Sequence, residues 1–181
     1  ADNAVPHDGW EGGLQYLADF SGLGIGAMFG FKHADGADML KILGQPESDI
    51  EVWKASGRIT YQGFALGGGW LRQSSGLAAA NTSIKGSSWI VSAAYTTDAW
   101  GIGTGYFDGH SEDLVNVAGK DEHDKWIVEG KYVLGPGVDL VGALFGFDLD
   151  AEGTALQAAT GVGNGTDNDG WGAIAGVKMS F

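Results

Sequence analysis

Carboxylate side chains gather in polar stretches between apolar segments, and they are the groups in this chain best suited to binding a cation. The densest group comprises Asp108, Glu112, Asp113, Asp121, Glu122 and Asp124. Clustered carboxylates and backbone carbonyls suit Ca²⁺ or Mg²⁺, although the EF-hand spacing is absent. The sequence therefore allows a structural Ca²⁺ or Mg²⁺ site here. The alternative is a group of solvated surface charges.

Four histidines could supply a general base for catalysis. His7, His33, His110 and His123 fall at predicted loop edges, and His123 lies within the sequence Asp-Glu-His-Asp. A histidine flanked by carboxylates can accept a proton. However, no serine lies in a recognisable nucleophile context and the chain has no Cys. We therefore assign no catalytic residue and expect a protein that is not an enzyme.

Other polar side chains alternate with apolar ones. In residues 9–20, Trp10, Leu14 and Phe20 fall on one face, whereas Glu11 and Asp19 fall on the other. Such alternation is the period of a β-strand with one polar face. Carried along the chain, it assigns to one polar face Glu11, Gln15, Asp19, Lys32, Lys54, Arg58, Thr60, Lys125, Glu129, Lys131 and Lys178. This set holds six basic and three acidic side chains, so the face is locally basic.

Composition excludes several classes of protein. The 181 residues carry 10 basic and 23 acidic side chains, a net charge of −13, which disfavours nucleic acid as a partner. The absence of Cys removes disulfides, thiolate catalysis and cysteine-based zinc sites. No apolar run reaches the roughly 18 residues of a transmembrane helix. The first residues show no basic n-region followed by an apolar core, so we expect that any signal peptide has already been removed. We expect no cofactor beyond the cation considered above.

Nine segments show strand periodicity, and several have the ten-residue length that lets a tilted strand cross a bilayer. They are residues 9–20, 23–32, 53–61, 65–72, 88–96, 100–107, 125–134, 141–147 and 171–181. Val141, Ala143, Phe145 and Phe147 define the apolar face of the eighth. The sequence therefore predicts an all-β, antiparallel transmembrane barrel. A soluble β-sandwich is the alternative, but its strands are usually shorter.

Connections between these segments alternate in length. Short turns lie near Ser21-Gly22, 62–64, 97–98 and 135–137, whereas polar stretches of roughly fourteen to twenty residues separate the other segments, including 73–86 and 108–124. Outer-membrane barrels have short periplasmic turns and long external loops. Five tryptophans begin strands that leave a long loop, as expected for an aromatic belt at a membrane interface. They are Trp10, Trp53, Trp89, Trp126 and Trp171.

Two motifs carry a family resemblance over about the last fifty residues. The C-terminal Gly176-Val-Lys-Met-Ser-Phe181 is similar to the signal that delivers outer-membrane barrels to their assembly machinery, with Gly176, Met179 and Phe181 as its signal residues. The segment Tyr132-Val-Leu-Gly-Pro-Gly-Val-Asp-Leu140, followed by Asp148, resembles the penultimate hairpin of Gram-negative general porins of the alphaproteobacterial type.

The resemblance implies a sixteen-stranded homotrimer with water-filled channels for small hydrophilic solutes and ions. It implies partners in outer-membrane lipid, lipopolysaccharide and the barrel-assembly machinery, and it makes the polar face pore-lining. Bacterial single-chain barrels have an even number of strands with both termini periplasmic. Nine strands counted back from Phe181 place Ala1 outside, so we expect residues 1–181 to be the C-terminal part of one barrel domain.

Two alternative functions stay open at this stage. A small barrel of eight or ten strands could bear an enzymatic or an adhesive, binding role at its external loops. A secreted adhesin is the second possibility, although no nine-residue calcium repeat is present. Solubility without detergent would separate the secreted class from both barrels.

Overall fold

A computed structural model describes residues 7–35, 49–77, 82–112, 120–150 and 167–180. These residues form one antiparallel sheet, and the predicted all-β fold with nine strands is confirmed. Within them no helix is long and apolar enough to cross a membrane. The strands are β1 (His7–Phe20), β2 (Leu23–Asp35), β3 (Ile50–Tyr61), β4 (Phe64–Leu77), β5 (Thr82–Thr96), β6 (Trp100–Glu112), β7 (Asp121–Gly135), β8 (Val138–Asp150) and β9 (Asn168–Met179).

The strands follow chain order across the sheet, so every neighbour in sequence is a neighbour in space. All eight pairings are antiparallel. Within the described ranges, β1 and β9 each pair on one side only, and they run in the same direction because eight reversals separate them. Further strands that join these two edges with antiparallel pairings alone must therefore be odd in number.

Tight turns set the register at one end of the sheet, called here the turn end. Ser21-Gly22 and Gln62-Gly63 both have two central residues with positive φ, the type I′ geometry that matches the twist of a hairpin. The Gly22 amide also donates to Asp19 Oδ1 over 3.1 Å. Adjacent turns are joined by backbone hydrogen bonds, such as the 2.9 Å bond from Thr96 N to Gly63 O. The turn end is therefore closely connected across strands.

At the other end, called here the loop end, the strands are longer than the sequence indicates. Most of the predicted loop 73–86 lies in strands, because β4 and β5 remain paired from Gln73↔Gly86 to Leu77↔Thr82. Residues 108–112 and 121–124 of the predicted loop 108–124 likewise lie in β6 and β7. Ser, Asp and His at these strand ends resemble a loop in sequence, but a strand that extends beyond an apolar band has no need of apolar side chains there.

The two faces of the sheet differ in chemistry. One, the charged face, holds the predicted polar residues, which cross-strand pairs such as Glu11↔Lys32 place together. The other, the apolar face, holds pairs such as Leu14↔Phe29 and Val128↔Leu144. Many large apolar side chains are exposed there, with Leu14 78% and Leu144 51% accessible. A soluble sandwich would bury such a face, so the exposed apolar face agrees with a membrane barrel.

The predicted faces of β8 are wrong. Ala143 pairs with Glu129 and Phe147 with Lys125, so Val141, Ala143, Phe145 and Phe147 lie on the charged face. Leu140 and Leu144 lie on the apolar face instead. Alternation alone favoured the more apolar set, but the irregular pairing between Val133 and Gly135 fixes the register.

Glycine positions on the charged face accept side chains from the neighbouring strand. A Cβ at Gly30 would lie 2.5 Å from Lys54 Cε, and one at Gly103 would lie 3.2 Å from Glu129 Oε1. A Cβ at Gly172 would lie 2.5 Å from Phe145 Cζ. These large side chains therefore lie low along the sheet, at the height of a Cβ, instead of projecting away from it.

Candidate functional site

All eleven residues of the predicted polar set lie on one face. Cross-strand partners lie on the same face of a sheet, and so do alternate residues within one strand. Asp19 pairs with Gly24 and Gly24 with Thr60, for example, and Lys131 pairs with Gly101. They extend from β1 to β9, with Glu11, Gln15 and Asp19 at one edge and Lys178 at the other. The arrangement is a broad polar wall and has no single chemical centre.

Sequence reasoning missed two acidic members of this face. Asp139 lies directly opposite Lys178, and Asp121 pairs with Ser111 on the same face. The excess of basic over acidic side chains on this face is therefore smaller than in the predicted set. Asp139 is the second residue after the Gly135-Pro136-Gly137 turn, so its face depends on the turn geometry and not on alternation.

Aromatic side chains form a row near the loop end of the apolar face. Trp10 contacts Phe31 with ring centroids 4.8 Å apart, and Phe31 contacts Trp53 at 4.1 Å. Trp70 pairs with Trp89 across strands. The row continues through Tyr106, Trp126 and Trp171, since Tyr106 pairs with Trp126 and Gly146 with Trp171. A smaller group near the turn end joins Phe64, Tyr95 and Trp100 at 4.3 and 5.5 Å.

Two aromatic belts that flank an apolar zone are typical of a transmembrane barrel, because Trp and Tyr rings favour the interface between hydrocarbon and headgroups. The strand register thus places the five tryptophans of the predicted belt in one row, and Trp70 is a further member of that row. Trp100 alone among the tryptophans of the described strands lies at the turn end.

A row of four carboxylates lies directly beyond the aromatic row on β6 to β9. Asp108 pairs with Asp124, Asp124 with Asp148, and Asp148 with Asp169. The Tyr106 hydroxyl donates a hydrogen bond to the Asp124 carboxylate. The acidic residues lie at the loop end of the strands, outside the apolar zone, where water or lipid headgroups can solvate them.

Comparison with protein-family models decides the class of protein. The model of the Gram-negative porin family matches residues 1–151. This chain belongs to the Gram-negative porin family. The matched residues include β1 to β8, which hold most of the polar wall. No curated protein matches the chain.

The porin's acidic row gives a testable consequence for stability. Like charges directly opposite one another in a sheet are destabilising by about 0.2–1 kcal/mol per pair. Asp124 has such a partner on both sides, so Asp124→Asn is expected to raise the midpoint of urea unfolding in low-salt buffer with chelator. Asp98→Asn, at a turn, is the control and should leave the midpoint unchanged. A lower midpoint for Asp124→Asn would show that the row stabilises the porin.

The predicted cation site is only partly described. Asp108, Asp121, Glu122 and Asp124 lie on strands and not in a loop, and Asp121 faces away from the other three. Asp113 and the Glu112 side chain lie outside the described residues. Cation binding by this set stays a prediction. At the loop end of β8, Asp150 accompanies the row, and its hydrogen bond with Asp167 and the charge of Asp167 raise the pKa of Asp150.

One cluster with metal-ligand geometry was not predicted. Ligand atoms of His33, Asp35 and Asp49 lie within 4.8 Å of one another at the loop end of β2 and β3, and His33 Nε2 is 3.1 Å from Asp35 Oδ1. Asp35 is the last residue of β2 and Asp49 directly precedes β3, so only the pairing of these two strands could reveal that they lie close together.

The four histidines lie in strands, within three residues of the loop end of each. His110 Nε2 is 3.3 Å from Ser87 Oγ. His123 stacks on Phe107 with ring centroids 5.5 Å apart. Among the described residues, neither contact joins a carboxylate to a histidine and a serine as a triad. The porin family suggests a channel protein that is not an enzyme.

The residues of the predicted assembly signal lie at the end of β9. Gly176 pairs with Val141 on the charged face, and Met179 pairs with Val138. The Met179 side chain is 60% exposed. Phe181 lies outside the described residues, so the signal itself stays a prediction.

Proposed function

We propose that this porin forms a water-filled channel for passive diffusion of small hydrophilic solutes and ions across the outer membrane. The polar wall carries the proposal, since eleven polar residues from five of the nine strands share the face opposite an exposed apolar surface. Charged groups on a pore wall select ions by electrostatics. The charged face would line the channel, and the apolar face would contact lipid.

The barrel itself is proposed to be larger than the described sheet. Two edge strands that run in the same direction support closure by an odd number of additional antiparallel strands, and sixteen strands in total meet that condition. An eight-stranded barrel does not accommodate nine antiparallel strands, and the resemblance to general porins favours sixteen strands over ten. On this proposal, residues 1–181 are the C-terminal part of a trimeric porin, and the resemblance of the 132–140 hairpin supports the alphaproteobacterial type.

The apolar face is proposed to meet outer-membrane lipid, with lipopolysaccharide beside the loop end. Divalent cations, Ca²⁺ or Mg²⁺, would neutralise the acidic row and bridge it to lipopolysaccharide phosphates. Delivery by the barrel-assembly machinery is proposed from the similarity of Gly176, Met179 and Phe181 to its recognition signal.

The test combines mass spectrometry and conductance on one detergent-extracted sample. A mass near twice 18.7 kDa with large stepwise conductance in a planar bilayer is the expected result. A mass of 18.7 kDa without conductance would contradict the proposal and favour a small barrel with an enzymatic or adhesive role at its rim.

Charge reversal on the polar wall should alter ion selectivity. In water a unit charge about 8 Å from an ion contributes about 0.5 kcal/mol, so a reversal changes the local ion concentration about fivefold. Lys131→Glu is therefore expected to shift the zero-current potential in a KCl gradient toward cation selectivity. Arg72→Glu makes the same change on the apolar face, where Arg72 pairs with Trp53. Equal shifts in both variants would contradict the assignment of the faces.

A further inference from the structure

The charged face contains an apolar area that the polar wall does not explain. Cross-strand pairs place Ile90 beside Phe107 and Ile127 beside Phe145, with Phe147 in the next row. We call these five residues the aromatic platform. Ile90 and Ile127 are 46% and 39% exposed. Exposed apolar groups on an otherwise polar wall mark a place where a solute can lose water.

The rings of the platform lie along the sheet and do not project from it. The Phe145 ring reaches the Cβ height of Gly172, and Phe147 Cζ lies 3.0 Å from the position of a Cβ at Gly170. Phe107 Cζ lies 3.1 Å from that position at Gly109, and its ring stacks on His123 with an interplanar angle of 22°. The platform is therefore low and leaves the channel open, while ring surface faces the passage.

A single cation lies within the platform. Lys125 pairs with Phe107 on one side and with Phe147 on the other. Its side chain is exposed, and among the described residues no ion pair or hydrogen bond involves its ammonium group. The carboxylates on its own strand and face are Asp121 and Glu129, each four residues away or about 13 Å along the strand. An ammonium flanked by two aromatic rings is complementary to an anion attached to a planar ring.

We propose that the aromatic platform and Lys125 form a binding subsite for small aromatic carboxylates on their way through the channel. The ring of the solute stacks on the phenylalanine rings, and its carboxylate pairs with the Lys125 ammonium. Aromatic pairs contribute about 0.5–1.5 kcal/mol beyond area burial. The subsite rests on the proposed channel function and adds a preference among solutes.

The test is a titration of single-channel current in KCl with sodium benzoate, on the intact protein in a planar bilayer. Cyclohexanecarboxylate has the same charge and similar size but no planar ring, and benzamide keeps the ring without the charge. We expect benzoate to reduce the current at a concentration about tenfold lower than either, because 1.4 kcal/mol corresponds to a factor of ten.

Two variants and two matched controls locate the subsite. Phe147→Leu and Lys125→Gln should each raise the half-blocking concentration of benzoate about tenfold. Phe29→Leu makes the same change on the apolar face, and Lys178→Gln removes a charge from the wall away from the platform. Neither control should alter the benzoate titration. Heat-dependent electrophoretic mobility verifies that every variant is folded.

The outcomes separate the subsite from the channel. Normal KCl conductance with equal block by all three solutes, or with equal effects in platform and control variants, would overturn the subsite and leave the channel intact. Absence of KCl conductance in the wild-type protein would overturn the channel function and the subsite with it.

Discussion

Leu144→Arg is expected to prevent stable insertion of the porin into membranes. Leu144 lies on the apolar face in the middle of β8, where it pairs with Val128 and Ala173. Arg at the middle of the lipid-facing band of a barrel costs about 2–4 kcal/mol. The equilibrium constant for folding into lipid vesicles should fall by a factor of about 30 to 1,000. Heat-dependent electrophoretic mobility and urea titration measure it.

Ala143→Arg is the matched control for this change. Ala143 is the preceding residue, and it pairs with Glu129 on the charged face. Arg there would face water beside a carboxylate, so we expect a change within about 0.5 kcal/mol. A larger loss of folding stability for Ala143→Arg than for Leu144→Arg would contradict this assignment. It would support the face that alternation alone predicted for β8.

Gly63→Ala is the second change with a large expected effect. Gly63 has φ +86°, where a Cβ costs roughly 1–2 kcal/mol. In addition, a Cβ there would overlap the carbonyl oxygen of Thr96, which belongs to the neighbouring strand. Forced overpacking costs about 1–3 kcal/mol. We expect a combined loss of about 2–5 kcal/mol in the free energy of unfolding, measured by urea titration in detergent.

Gly22→Ala separates the two causes. Gly22 has nearly the same φ, +87°, in an equivalent turn, but a Cβ there meets nothing within 4 Å. It should therefore show only the smaller loss caused by backbone conformation. Equal losses at both glycines would mean that the contact with Thr96 contributes nothing, and the turn end would then be less closely connected than the hydrogen bonds indicate.

Much of the fold was readable from alternation and turn residues. In β1, apolar residues from Trp10 to Phe20 alternate with polar residues from Glu11 to Asp19. This pattern predicts both the strand and which of its faces is polar. Ser-Gly and Gly-Pro-Gly sequences likewise located the turns. The polar wall could be predicted because charge is tolerated on only one side of a strand in lipid.

Other features depend on interactions between strands. In β8 both faces are apolar, with Phe145 on one and Leu144 on the other, so alternation cannot choose and the pairing with β7 decides. The lengths of the loops were overestimated because Asp108 and Asp124 read as loop residues, whereas they pair as strand ends. The platform was missed for the same reason as β8, since Phe145 and Phe147 were expected on the apolar face.

Cysteine accessibility tests the central claim, that water contacts the charged face and lipid contacts the apolar face. The chain has no native Cys, so single substitutions at 126 to 129 and 142 to 145 can be labelled without background. In lipid vesicles, a membrane-impermeant thiol reagent should modify cysteines at 127, 129, 143 and 145 and spare those at 126, 128, 142 and 144. Uniform labelling, or the reverse alternation in either strand, would contradict the account.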